Sequence, residues 1–235
     1  MEAARGDLAD VRLADRVFAP HYAAAVQRSA TRRAPILAAH GGEPISEILP
    51  GESFDVLELS HGYAWGVAGV DGTVGFVAMD VLDTPVQPTH VVCAPGGDVP
   101  VGTRLTNEQA DRLDPAIVRP LDALPKDFVA IAESLTGTPA VAGGRSSAGV
   151  DAGGLVSLVL SLSGTKTVRF VDIQARELGH VVSDSAPVLR GDLVFTETDV
   201  AIATDGTHAI HVGDAGVARV ALADLGPIMT RRRMP

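Results

Sequence analysis

The chain has 235 residues, with 19 Lys plus Arg against 29 Asp plus Glu, a formal charge of −10. That balance disfavours nucleic acid as the main partner, because phosphate binding runs on Lys and Arg, and the short Arg231-Arg232-Arg233 cluster is too small to reverse it. One cysteine, Cys93, excludes an intramolecular disulfide and any multi-cysteine metal site, which fits a reducing compartment, and the length suits one large or two small domains.

Residues 1–34 read as an irregular, solvated extension with helical pieces. The first residues are charged and lack the apolar core of a signal peptide, so a cytoplasmic location is expected. From residue 35 to 84 the pattern is one of short strands. Ser53 to Leu59 alternates apolar and polar with period two. Tyr63 to Ala68 and Val74 to Val77 follow, separated by the hairpin signal Asp71-Gly72. This spacing predicts a small barrel with Trp65 and Phe76 in its core.

Residues 85–125 carry seven prolines, which break any long element, so they read as a linker or a reduced second barrel. A short helix is expected between Asn107 and Leu113, and Cys93 reads as a small buried apolar residue.

Residues 126–235 change to a mixed pattern. Asp127 to Leu135 predicts a helix that stops at Gly137, and residues 143–149 predict a tight polar loop. Asp151 is placed to cap a helix running to Ser163, with Gly164 as its stop. That helix is apolar nearly all round and therefore buried, and its apolar stretch, Leu155 to Leu162, falls far short of the roughly 20 residues a membrane span needs. Gly153 and Gly154 sit in its first turn, where each costs up to about 1 kcal/mol relative to Ala. Two such glycines imply that backbone approaches the helix end closely. Strands are expected at 193–195, 200–203, 209–212 and 217–222.

Several of these residues resemble a known family. Thr138-Pro139, Gly143-Gly144-Arg145-Ser146-Ser147, Gly149, Asp151 and Gly154-Leu155-Val156 are similar to the T-P-Y-L-W-G-G-R-S-S-x-G-x-D-C-S-G-L-V segment of NlpC/P60 cell-wall peptidases. Arg169, Asp172 and Gln174 resemble its R-D-S-D-x-Q segment, and Leu189 to Phe195 its L-x-x-G-D-L-V-F strand. Leu49-Pro50-Gly51-Glu52 with Tyr63 to Phe76 resembles a bacterial SH3 domain. The order is most similar to the dipeptidyl-peptidase branch, which cuts γ-D-glutamyl bonds. The resemblance implies an α+β chain: an SH3-like β-barrel, then a papain-like domain whose N-terminal helix packs on an antiparallel sheet.

It also implies a cysteine thiolate at the helix N-terminus, a histidine base and a third polar residue that orients it. At those positions this chain has Ala152, Asp199 and His211. A methyl group cannot attack a carbonyl, and the triad positions are therefore expected to be inactive. A three-residue loop, Thr204 to Gly206, would pair Ala203 with Thr207 and make Asp199 and His211 cross-strand neighbours. His208 would then point to the other face.

The family's Tyr, Trp and Ser near the nucleophile are Ala140, Ala142 and Gly153, so the cleft is expected to be wider or filled by another segment. The polar groups left for ligand contacts are Asp151, Arg145, Ser146 and Ser147, with Gly153 beside them and with Glu52 and Thr73 in the SH3-like part. Each also has a structural use, Asp151 as a helix cap and the loop residues as partners for backbone groups.

The expected function is a non-catalytic relative that binds a cell-wall peptide (muropeptide) or a protein partner. The alternatives are an active γ-D-glutamyl peptide hydrolase and a purely structural protein, for example a homo-oligomer. No cofactor, metal, nucleic acid or membrane span is expected.

Overall fold

The computed structural model describes residues 2–235. Strands β1 (Leu8–Asp10) and β2 (His21–Ala23) form a parallel pair ahead of the first sheet. The expected helical pieces in this region reduce to one 3-10 turn, Val11–Leu13, capped by the Asp10 carboxylate. The arm is not merely solvated. Ala3 and Leu8 pack on Leu57 and Trp65, and the Arg5 guanidinium lies 4.5 Å from the Trp65 ring centre. Trp65 is therefore buried under the arm, on the opposite side of the sheet from the core built on Phe54, Ile36 and Val77.

Seven strands make the first sheet: β3 (Val26–Ala30), β4 (Ala34–Leu37), β5 (Pro44–Ile48), β6 (Ser53–Ser60), β7 (Tyr63–Ala68), β8 (Val74–Ala78) and β9 (Leu82–Asp83). Their order is β5-β4-β8-β7-β6-β3-β9. The sheet ends on β5 and β9, so among the described residues it is not a closed barrel. It also begins at Val26, ahead of Pro35, because β3 pairs antiparallel with β6.

The proline-rich stretch is folded. Strands β10 (His90–Val92), β11 (Arg104–Leu105) and β12 (Val118–Pro120) form a three-stranded sheet, with helix α1 (Asn107–Ala110) capped by Thr106. Its Val91, Val101, Leu105 and Ile117 share one core with the C-terminal half. Prolines are accommodated there because the strands are only two or three residues long.

The C-terminal half packs helices on a six-stranded antiparallel sheet. Helix α2 (Phe128–Ser134) is capped by Asp127 and ends before Gly137, whose φ is +89°. A short hairpin, β13 (Arg145–Ser146) and β14 (Gly149–Val150), replaces the expected loop. Helix α3 (Ala152–Leu162) follows, buried along nearly its whole length, with Asp151 as N-cap and Gly164 (φ +76°) just past Ser163. Then come α4 (Val171–Glu177), β15 (His180–Val181), β16 (Asp192–Phe195), β17 (Val200–Ala203), β18 (His208–Gly213), β19 (Gly216–Ala221) and β20 (Thr230–Arg233). The sheet order is β15-β20-β16-β17-β18-β19.

Strand β20 corrects the reading of Arg231-Arg232-Arg233 as a simple basic cluster. Arg231 and Arg232 are buried, donating to the carbonyls of Ser183, Ala186 and Leu178, and Arg233 Nε donates to Asp192 Oδ1 at 2.6 Å. Burial alone would raise the fully buried Asp192 carboxyl, but its hydrogen bonds from Arg233 and the Leu189 N–H hold it below the usual range. None of the described helices is long and apolar enough to cross a membrane.

Candidate functional site

The site is built on the start of α3. Asp151 has an extended backbone (φ −104°, ψ 176°), and its Oδ1 accepts from the Gly154 N–H at 2.7 Å. Its Oδ2 accepts from the Gly143 N–H at 2.9 Å and from Arg169 Nη2 at 2.6 Å. One carboxylate thus caps the helix, anchors the loop before it and pairs with a buried arginine. Arg169 Nε in turn donates to Ser46 Oγ at 3.1 Å.

The two glycines have the crowding the sequence implied. A Cβ on Gly154 would overlap the Gly144 carbonyl oxygen, and one on Gly153 would lie 2.6 Å from the Arg169 carbonyl oxygen. Real side chains do not tolerate such contacts, so the small residues are set by backbone packed across the helix end.

Ala152, the first residue of the helix, lines an open groove of about 580 Å³. Ala140, Val141 and Ala142 form one side, with Phe170 and Asp199 also in the lining. Pro44 and Ile45, at the β5 edge of the first sheet, supply another wall, so the groove lies at the seam between the two halves. The chain does not fill this groove with another segment. An adjoining depression of about 190 Å³ shares Pro44 and Ala142 and is bordered by Arg33 and Glu47, which pair at 3.1 Å.

Asp199 lies just before β17 at the edge of this groove. Its Oδ1 accepts from the Val200 N–H, and its Oδ2 lies 2.8 Å from His211 Nε2. The contact was expected, but its register differs. Ala203 pairs with Ala209 and Ile202 with Ile210, so the loop runs from Thr204 to His208. Asp205 closes it by accepting from the N–H groups of Thr207 and His208 and from the Thr207 hydroxyl. These hydrogen bonds hold the Asp205 carboxyl well below its usual range, and Gly206 does not adopt a positive φ. His211 faces a separate cavity of about 260 Å³ behind Asp199, not the groove. His208 is half-exposed.

Several residues expected at a ligand surface lie elsewhere. Arg145, Ser146, Glu52 and Thr73 are all buried, and none of them lines the groove. Arg145 Nη2 donates to Glu52 Oε2 at 2.5 Å, its N–H donates to Glu47 Oε1 at 2.7 Å, and its Nε lies 3.6 Å from Asp71 Oδ2. Asp71 accepts from the Thr73 N–H and hydroxyl and from Ser157 Oγ of α3. Burial alone would lower the Arg145 guanidinium, but the charges of Glu52 and Asp71 outweigh it and raise it. Ser147 Oγ accepts from the Val101 N–H, tying the hairpin to the middle segment. Of the expected ligand-facing residues, only Asp151 and Gly153 line the groove, joined by the triad positions Ala152 and Asp199.

Sequence reasoning did not place Arg169 or Phe170 in the site. Both line the groove, and Phe170 gives it an aromatic wall where the resemblance implied that aromatics are lost. The resemblance of Arg169 to the R-D-S-D-x-Q segment carries a signal, but its position facing the helix start is set by long-range packing. Cys93 is buried in the core of the middle segment, away from the groove lining, and burial pushes its thiol up to about 11. No group of three or more His, Cys, Asp or Glu arranged to hold a metal is present among the described residues. The groove therefore offers three aspartates, Asp151, Asp199 and Asp214, an apolar and aromatic wall and a helix N-terminus, but no thiolate and no imidazole in its lining.

No protein-family model and no curated protein matches this chain. Among solved structures it is similar to an NlpC/P60 family protein from Bacillus cereus ATCC 10987, with a TM-score of 0.76 and 16% identity over 89% of this chain and 100% of that one. NlpC2 and NlpC1 from Trichomonas vaginalis give TM-scores of 0.43 and 0.41 at 15% and 16% identity, each over 89% of this chain and over 73% and 69% of theirs. The chain shares the fold of the Bacillus cereus NlpC/P60 family protein along nearly its whole length.

Proposed function

We propose that this chain is an NlpC/P60 relative that has kept the groove and lost the reaction, and that it binds a cell-wall peptide there. The observation that carries this reading is Ala152. It is the first residue of α3 and lines the groove, at the position where the resemblance expects the nucleophilic cysteine. An enzyme of this mechanism needs its thiolate, and loss of one triad member costs orders of magnitude in rate.

Asp199 supports the reading independently. At the expected base position it is a carboxylate hydrogen-bonded to His211, which cannot take over as a groove-facing imidazole from its place behind Asp199. In this reading the first sheet is an SH3-like domain that contributes Pro44 and Ile45 to the groove wall. The groove volume of about 580 Å³ falls in the range of small-molecule and peptide pockets. Its aromatic wall at Phe170 and its aspartates give both apolar and polar contacts.

The test is incubation of the protein with L-Ala-γ-D-Glu-diaminopimelate, followed by mass spectrometry and by amide chemical shifts. The expected result is intact peptide, with shifts at Ala152, Gly153 and Phe170. Released dipeptide contradicts the loss of catalysis. Absent shifts contradict peptide binding and favour a protein partner or a homo-oligomer.

A further inference from the structure

A second pocket, of about 240 Å³, lies where the seven-stranded sheet meets the three-stranded one. It stands apart from the groove and shares no residue with it. Its lining includes Arg104 of β11, Gln27 of β3, Ser53 of β6 and Gln87, and it contains no Asp or Glu. None of these four side chains has a hydrogen-bond or ion-pair partner among the described residues.

That is unusual for the arginines of this acidic chain. Only Arg28 and Arg104 have a guanidinium without a side-chain or carbonyl partner among the described residues. A cation left free in a pocket without acids is a receptor for negative charge.

The pocket is held open by backbone. Gly51, at φ +77°, lies so close to Arg104 that a Cβ would overlap the Arg104 carbonyl oxygen. The Arg104 N–H donates to the Pro50 carbonyl at 2.9 Å, fixing β11 against the turn before β6. A Cβ on Gly69 would overlap Ser53 Oγ, so no side chain fills that side. The Val86 N–H donates to Ser29 Oγ at 3.0 Å, which seats Gln87 and Pro88 at the rim. Asp55, paired with Gln27 across β3 and β6, lies 3.3 Å from Arg12 and so has its own cation.

We propose that this pocket binds a carboxylate, as a small acid or the end of a peptide. A single guanidinium presents a planar fork that matches the two oxygens of a carboxylate. The amides of Gln27 and Gln87 and the Ser53 hydroxyl supply neutral hydrogen bonds around it, and Val86 and Pro88 an apolar rim for the attached carbon. One positive charge balances a monoanion better than a phosphate dianion.

The experiment titrates N-acetylglycine into the ¹⁵N-labelled full chain, with N-acetylglycinamide and inorganic phosphate as comparison probes. N-acetylglycine is expected to shift the Arg104 Nε–H and the Gly51 and Gly69 amides saturably, while the neutral amide does not. R104Q is expected to weaken binding by about tenfold or more, with R104K intermediate because it keeps the charge and loses the fork. Absence of saturable shifts, unchanged binding by R104Q, or phosphate binding as tightly as N-acetylglycine would each overturn the proposal. Should R104Q not fold, R104K and the ranking of the three probes on the unaltered chain decide it.

Discussion

His211 Nε2 lies 2.8 Å from Asp199 Oδ2 although the two residues are not opposite each other in the sheet. With Ala203 paired to Ala209, the register sets His211 across from Ala201, two residues past Asp199 on the same face. The contact is therefore diagonal, a reach that long side chains manage across antiparallel strands. It turns the imidazole toward the rear cavity and leaves Asp199 alone at the groove. The pair is a hydrogen bond that fixes the end of β17, not a base aimed at Ala152.

Restoring the thiol alone should therefore not restore hydrolysis. Ala152→Cys is expected to show no turnover of γ-D-glutamyl peptides, because no imidazole faces the groove. The double variant Ala152→Cys with Asp199→His supplies both groups. It is expected to exceed the single variant by about a hundredfold or more, the usual worth of a general base. A rate assay by liquid chromatography checks both, and brisk turnover by the single variant contradicts the assignment of Asp199.

Arg145 ties the two halves together by its charge. Arg145→Met would leave Glu52 and Asp71 buried without their cation. Removing one partner from a buried pair costs about 3–5 kcal/mol, so the urea midpoint is expected to fall accordingly. A loss below about 1 kcal/mol, the value of an exposed pair, would contradict the buried seam.

Two glycine variants should differ in sign. Gly154→Ala drives a methyl group into the Gly144 carbonyl and is expected to destabilise by about 1–3 kcal/mol or more. Gly206→Ala meets nothing nearer than 3.6 Å and has no positive φ, so it is expected to be neutral or stabilising by up to about 1 kcal/mol. Thermal unfolding of the two variants side by side measures the difference.

Cys93 predicts a pH effect. Burial raises its thiol from 9.0 to about 11, so between these values the folded chain holds a proton that the unfolded chain releases. By linkage, this contribution is fully present below about pH 9 and is lost as pH rises toward 11. The difference in stability between the unaltered chain and Cys93→Ala should shrink over that window. A difference that stays constant from pH 8 to about pH 11 would contradict the burial of the thiol.

Local features of the fold were legible in the sequence. Asp151, the apolar run of α3 and Gly164 mark a helix by its cap, face and stop, and the structure has it from Ala152 to Leu162, one residue short of the expected Ser163. The strand pattern around Phe195, Ile202 and Ile210 was equally readable, since buried strands need apolar runs. The close approach implied by Gly153 and Gly154 was correct, although only the structure identifies the carbonyls of Arg169 and Gly144 as what approaches.

What sequence did not reveal depends on distant partners. Arg145 reads as a loop residue, yet its acids lie at Glu47, Glu52 and Asp71. Arg231 and Arg232 read as surface charge because their partners are carbonyls some 50 residues earlier. The Ala203 register was misjudged because the Asp205 carboxylate organises a longer loop than the glycine alone suggested. Phe170 lines the groove next to Arg169, whose guanidinium reaches back 18 residues to Asp151.

The central claim is a groove that binds without cutting, and titration calorimetry of the unaltered protein with L-Ala-γ-D-Glu-diaminopimelate tests it most directly. The account predicts a saturable heat that returns to baseline after each injection and that Phe170→Ala weakens. A heat that persists at each injection, the signature of turnover, or a trace with no heat of binding would contradict it.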